Sequence, residues 1–317
     1  MPFDHPMTPS AWLAKAVGFT LLLLTAVAAT NAAIDTYGVF RSPAGRHLPG
    51  YGDDRVAKYL LSERYVPTRF NALLIGSSVS ANWDSSQINA FKVYNESMNG
   101  GNIVEEKTIA DRALASSRIK LVILIVHPFL TSAHNFETVH VTPRENLEAL
   151  GSQNLLNAYK DKLRSYFGKN AQTFDENGVV VFSETSHEMN AVLKRVMDPL
   201  SGFKVDPVAL QANEGLIAEL HAAHIPILFV IPAISEPLLL SRAAQLASYS
   251  RLILGNKSES DEVIDFTSHD FQAFREDGKN FSDGVHLTTL GAKHIVAFIN
   301  QRLNDWTGAG QVPSRYK

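Results

Sequence analysis

This sequence predicts a doubly wound, three-layer α/β domain, a parallel sheet between two layers of helices, carried behind one membrane-spanning helix. Three observations lead there. Residues 121–126 read Leu-Val-Ile-Leu-Ile-Val, an uninterrupted apolar run of strand length, as expected for a strand buried on both faces. Similar runs at 70–75 and 226–231 alternate with stretches of helical spacing, and such alternation builds parallel sheets. Residues 16–33 form a separate uncharged apolar run.

That first run, extended to residues 12–34, is long enough to cross a bilayer as one helix, with Trp12 at the interface and Lys15 snorkelling. It reads as a retained single-pass anchor; the alternative is a signal peptide removed after the small residues of Ala-Val-Ala-Ala-Thr-Asn-Ala-Ala. Arg41, Arg46 and Arg55 follow it, against the positive-inside rule. Long C-terminal domains are translocated despite such charges, so the body is expected in the periplasm of a bacterial inner-membrane protein. Residues 35–68, rich in Gly and Pro, read as a connector with one short amphipathic piece near 56–62.

The domain is expected over 69–306. A strand at 70–75 ends in the turn 76–80, with helical residues after it. A short strand at 91–94 follows, then a helix at 103–116 and the central strand at 121–126. Residues 127–206 break the alternation and read as an insertion of lid type, with a helix at 154–167 and a strand-like Gly-Val-Val-Val-Phe at 178–182. Alternation resumes with a helix at 208–223, a strand at 226–231, a helix at 235–254, a strand at 263–266 and a helix at 288–303, before a tail at 307–317. Ligands of such sheets bind at the carboxyl ends of the strands.

Composition bounds the chemistry. A net charge of -3 and no basic stripe exclude a nucleic-acid partner, and the 317 residues contain no Cys, which removes thiol nucleophiles and disulfides. His127, His134 and His140, and the pair His221 and His224, lack metal-ligand spacing with carboxylates. The pattern implies no metal and no cofactor.

What remains is Ser, His and Asp. Ser78 stands on the turn Gly76-Ser77-Ser78 after the first strand, with Ser77 and Ser80 reading as helix caps. Asp283 and His286 share the short loop Phe-Ser-Asp-Gly-Val-His-Leu that opens the last helix. An Asp three residues before a His places a carboxylate where it can orient an imidazole, and the imidazole activates a serine hydroxyl. Asp265, Asp270 and Arg275 just before this loop read as structural.

These blocks resemble the SGNH (GDSL-type) hydrolases, in the divergent membrane-linked branch that includes polysaccharide O-acetylation proteins. The likeness covers residues 70–126 and 207–304 as topology and implies a flavodoxin-like, SGNH-type sheet. It makes Ser78 the nucleophile, with Ser77 where Asp is usual, and Asp283 and His286 its partners. Residues 95–101 match the second block, which implies an oxyanion hole of the Ser78 and Gly100 amides. The third block departs: Val126-His127-Pro128-Phe129 stands where the family has an Asn, so Asn99 and His127 become candidates for a further oxyanion or substrate contact.

The resemblance implies a Ser-His-Asp esterase or acyltransferase for acetylated cell-surface polysaccharide or another acylated glycan, with a multi-pass membrane acyltransferase as a partner if transfer is the reaction. The reading of a different class is a catalytically degenerate scaffold or glycan-binding subunit of an exopolysaccharide synthesis complex.

Overall fold

The computed structural model describes residues 8–46, 48–49, 54–132, 141–166, 173–180, 189–194 and 198–308; His134, His140 and residues 309–317 lie outside them. Five strands form the main sheet: β1 (Ala72–Ile75), β2 (Val93–Asn95), β3 (Leu121–Ile125), β4 (Ile227–Ile231) and β5 (Glu262–Asp265). They lie in the order β2-β1-β3-β4-β5 and every neighbouring pair is parallel. This is the flavodoxin-like doubly wound order, whose direction of winding reverses between β1 and β3.

The longer helices are α1 (Pro9–Ile34), α2 (Asp54–Arg69), α3 (Ile103–Leu114), α4 (Gln153–Tyr166), α5 (Pro207–Ala222), α6 (Glu236–Leu254) and α7 (Thr289–Gly308). Side chains alternate across a strand, so Leu73, Ile75, Val122, Leu124, Ile227 and Phe229 share a core with α2, α3 and α5. Ala72, Leu74, Leu121, Ile123, Leu228 and Val230 face the other way, onto Ile295, Val296 and Ile299 of α7. Helix α6 serves both layers, giving Leu238 and Leu246 to the second and Tyr249 and Ile253 to the first.

Three local expectations change. The amphipathic piece expected at 56–62 is the centre of the longer α2, whose Asp54, Arg55, Lys58 and Ser62 are buried rather than solvated. No helix follows the Ser78 turn: residues 78–82 form consecutive turns and Ser85–Gln87 a single 3₁₀ turn capped by Asp84. Ser77 and Ser80 therefore cap nothing; Ser80 Oγ bonds Ser97 Oγ at 2.8 Å and the Ser77 hydroxyl is buried without a partner. The strand expected at 178–182 is reduced to one antiparallel bridge between Phe174 and Val180, with residues 181–182 outside the described range. Thr173–Phe174 instead pairs with Leu48–Pro49, joining the segment before α2 to the insertion.

Helix α1 is 26 residues long, about 39 Å at the α-helical rise. Thr8 caps its start and Asp35, at φ 50, its end. Its most apolar 18 residues have a mean hydropathy of 1.9 and stand almost wholly clear of the protein, so by length and composition it is able to cross a membrane. Arg41 caps the carbonyls of Ala33 and Ile34, and Arg46 pairs with Asp35 at 3.0 Å.

Candidate active site

The Ser78 turn is possible because of what precedes it. A Cβ on Gly76 would collide with Ser80 Oγ and stand 2.8 Å from Ile125 Cγ1, so only glycine lets β1 end against β3 at this closeness. Asn95, at the end of β2, then clamps the turn. Its Nδ2 donates to the carbonyls of Ser80 at 2.9 Å and Trp83 at 3.1 Å, while its Oδ1 accepts from Ser97 N at 3.0 Å. Ser78 itself remains half-buried with its hydroxyl toward the loop that follows β5.

That loop closes on itself. Ser282 N donates to His286 O at 2.9 Å, Phe281 and Leu287 form an antiparallel bridge, and Phe281, Val285 and Leu287 are buried in the second core. Two ties carry it from the β5 edge across the sheet. Gly284 O accepts from Ser235 N at 2.9 Å beyond β4, and Leu287 O accepts from Asn82 Nδ2 at 2.8 Å beside the Ser78 turn. Thr288 Oγ1 accepts from Gly291 N at the start of α7, so the helix is capped by Thr288 and the Asp283 carboxylate is left for the loop.

The three side chains meet. Ser78 Oγ lies 2.8 Å from His286 Nε2 across 208 residues of sequence, and His286 Nδ1 lies 2.7 Å from Asp283 Oδ2. Asp283 Oδ1 accepts from His286 N at 2.7 Å and Val285 N at 2.9 Å. Burial alone would raise the Asp283 pKa, but the bonds from His286 and Val285 outweigh it and hold the carboxyl below its ordinary value. The result is an ionised acceptor fixed on one ring nitrogen, leaving the other free to take a proton from the serine.

Gly100, at φ 63, sits in the loop after β2, which runs beside the Ser78 turn through a bond from Met98 N to Gly76 O at 3.4 Å. Among the described residues neither the Ser78 nor the Gly100 amide donates to another protein atom. Asn99 is held by its backbone, which donates to Asp54 Oδ2 at 3.3 Å and accepts from Arg55 at 3.1 Å.

His127 follows β3, the strand beside β1, and is fully enclosed. Its Nδ1 accepts from Phe129 N at 3.4 Å, which leaves the ring proton on Nε2, and Nε2 is buried without a partner. Burial first, and then the charge of nearby His286, push its pKa down to about 3 against the pull of Asp283. The ring is a neutral donor with a buried, unsatisfied N–H at the edge of the Ser-His-Asp group.

Residues that pattern reading missed hold the Asn95–Asn102 loop from behind. Lys58 of α2, entirely buried, donates to the carbonyls of Asn95 at 2.9 Å, Ser97 at 2.7 Å and Gly178 at 2.8 Å. Arg55 pairs with Glu105 at 2.8 Å, and Glu106 accepts from Met98 N at 3.2 Å. The one available signal was compositional: four polar residues at helical spacing in α2 mark a face that needs partners.

The remaining candidates lie elsewhere. Arg275 is buried against Glu236 at 2.7 Å and the carbonyls of Phe266 and Ser268, a structural role. His221 bonds Asp261 at 2.8 Å at the opposite end of β4. Among the described residues no group of three His, Asp or Glu is arranged to hold a metal.

No protein-family model matches the chain, and no curated protein matches it. Among solved structures the chain is similar to one from Streptococcus pneumonia provisionally described as a platelet activating factor. The two are 12% identical, with a TM-score of 0.41 over 79% of this chain and 91% of that one.

Proposed function

We propose that the protein is a membrane-anchored serine O-acyl esterase or acyltransferase of SGNH type, working outside the cytoplasm on acetyl or similar esters of a cell-surface polysaccharide. The observation that carries the chemistry is the continuous chain Ser78 Oγ, His286 Nε2, His286 Nδ1, Asp283 Oδ2, with both links at 2.8 Å or less. The glycan rests on the resemblance of the blocks around Ser78, Gly100 and Asp283 to the polysaccharide O-acetylation branch. The anchor rests on the length and apolarity of α1.

In this reading Ser78 Oγ attacks the ester carbonyl while its proton passes to His286 Nε2. The C=O electrons collect on an oxyanion that the Ser78 and Gly100 amides stabilise, with His127 Nε2–H as third donor in place of the family's Asn. Breakdown expels the alcohol, which takes the proton from His286 and leaves acyl-Ser78. Water then completes hydrolysis, or a sugar hydroxyl completes transfer, each losing its proton to His286. Transfer requires a supply of acyl groups from the cytoplasmic side, for which a multi-pass membrane acyltransferase is the matching partner.

The missing block-three Asn is the feature that speaks for a second reading, a scaffold that binds glycan without turning it over, and the meeting of Ser78, His286 and Asp283 speaks against it. Hydrolysis of p-nitrophenyl acetate by the detergent-solubilised full chain and by Ser78→Ala separates them. The esterase reading expects turnover that the substitution removes; equal rates for both proteins rule it out.

A further inference from the structure

Three large exposed apolar side chains lie on one stretch of chain beside the end of α1. Leu147 is 72% exposed, Leu156 52% and Leu163 58%, all on the segment that meets the end of α1. Asn31, in the last turn of α1, donates from Nδ2 to Leu150 O at 2.5 Å and accepts from the Tyr159 hydroxyl at 2.6 Å. A side chain at Gly151 would touch Val27 of α1 at 3.9 Å.

Helical geometry puts the leucines on the α1 side of α4. At about 100° per residue, Leu156 and Leu163 lie roughly 60° and 40° to one side of Tyr159, whose hydroxyl reaches α1, while the buried Leu155 and Ala158 lie roughly 40° and 100° to its other side, so Tyr159 marks the border between the exposed stripe and the inward face. Lys160 is exposed at the edge of this stripe. Phe40, 47% exposed, follows α1 closely and is fixed by a bond from its N–H to Asp35 Oδ1 at 3.1 Å.

The occupant follows from the length of α1. About twenty apolar residues cross the hydrocarbon core, and with Trp12 at one interface and Lys15 snorkelling, the span 12–34 brings the other interface to within about a helical turn of Ile34. Val27 and Ile34 are themselves 45% and 40% exposed beside the docking point. No spacer longer than about one helical turn is left between lipid and α4.

On the reading of α1 as a membrane span, we propose that α4 lies in the plane of the lipid interface. Leu147, Leu156, Leu163 and Phe40 enter the boundary between headgroups and acyl chains, and Lys160 extends to the phosphates. Together with the Asn31 contacts this fixes the orientation of the domain on the membrane.

Because the chain has no cysteine, single nitroxide labels can be placed without background. The full chain carrying Leu22→Cys, Leu156→Cys, Leu163→Cys or Leu240→Cys, each labelled, is reconstituted in vesicles of phosphatidylethanolamine and phosphatidylglycerol. Collision of each label with oxygen and with a water-soluble nickel chelate is then measured. Labels at 156 and 163 are expected to favour oxygen severalfold over the label at 240, which sits on an exposed position of α6. If both are as open to nickel as 240 while 22 is lipid-shielded, the interfacial helix is refuted and the span stands. Shielding from both reagents with dipolar broadening means a second copy occupies the stripe, which also overturns the proposal. Nickel access at 22 overturns the span and this inference with it.

Discussion

Asp283 uses both of its oxygens inside four residues of chain, one on the His286 ring and one on the backbone that turns the ring into place. Orientation and charge stabilisation therefore come from one side chain, and Asp283→Asn, which reverses the hydrogen-bond sense at Nδ1, is expected to lower kcat about 10⁴-fold with the fold intact. A loss below about tenfold, measured on ester hydrolysis, would mean that the imidazole is held without the carboxylate. His127 gives a finer test. His127→Leu removes the unpartnered Nε2–H and is expected to lower kcat on the order of 10²-fold at little-changed KM, whereas His127→Asn, which restores an amide donor, retains most of the rate. Equal rates for wild type and the leucine variant would remove His127 from the oxyanion hole. At this scale the serine, aspartate and histidine were legible, because a strand-end turn and an Asp-x-x-His loop carry their own geometry. The state of His127 was not: sequence shows a histidine but not which nitrogen the chain around Phe129 occupies.

At the scale of elements, the loop after β2 is shaped by a helix that hydrophobic periodicity describes badly. Helix α2 buries Asp54, Arg55, Lys58 and Ser62, all of which a pattern of apolar spacing assigns to solvent. Their partners lie in the Asn95–Asn102 loop, in α3 and at Gly178, far along the chain, so only the fold reveals them. Lys58→Met strands three buried carbonyl bonds and is expected to cost about 3 kcal/mol or more in urea unfolding. A loss under about 1 kcal/mol would show that water replaces the ammonium. Glu96 next to this lysine gives the element a pH signature. Burial lifts its pKa to about 8, above the unfolded value near 4.3, so its contribution is complete below about 4.3 and is lost as pH rises through about 8. Glu96→Gln stays neutral throughout, and its thermal stability relative to wild type is expected to rise between about pH 5 and about pH 9. Parallel pH profiles for the two proteins would contradict the buried neutral acid. The absent helix after Ser78 has a similar cause: Asn95 and Asn82 take up the turn's groups from other elements, and no capping pattern records that.

Over the whole molecule, the alternation of apolar runs and amphipathic stretches located all five strands of the main sheet to within a few residues, most plainly β1, β3 and β4, which are buried on both faces and leave little room for polar residues. Connection order alone did not say how the last loop would reach the first. The β5 edge is three strands from β1, and the gap is bridged by Gly284 to Ser235 and Leu287 to Asn82, ordinary backbone and amide bonds with no sequence signature. The winding reversal between β1 and β3 puts the Ser78 turn and the His127 segment at the carboxyl ends of neighbouring strands, and the bridged loop adds His286, so Ser78, His286 and Asp283 meet at the carboxyl edge of the sheet. The most direct measurement is the site of covalent modification by a fluorophosphonate on the full chain, read by peptide mass spectrometry. The adduct is expected on Ser78, formed with wild type and lost with His286→Ala. A protein that remains unmodified, or an adduct on another serine with Ser78 untouched, would contradict the assembly of Ser78, His286 and Asp283 as an acyl-transfer site.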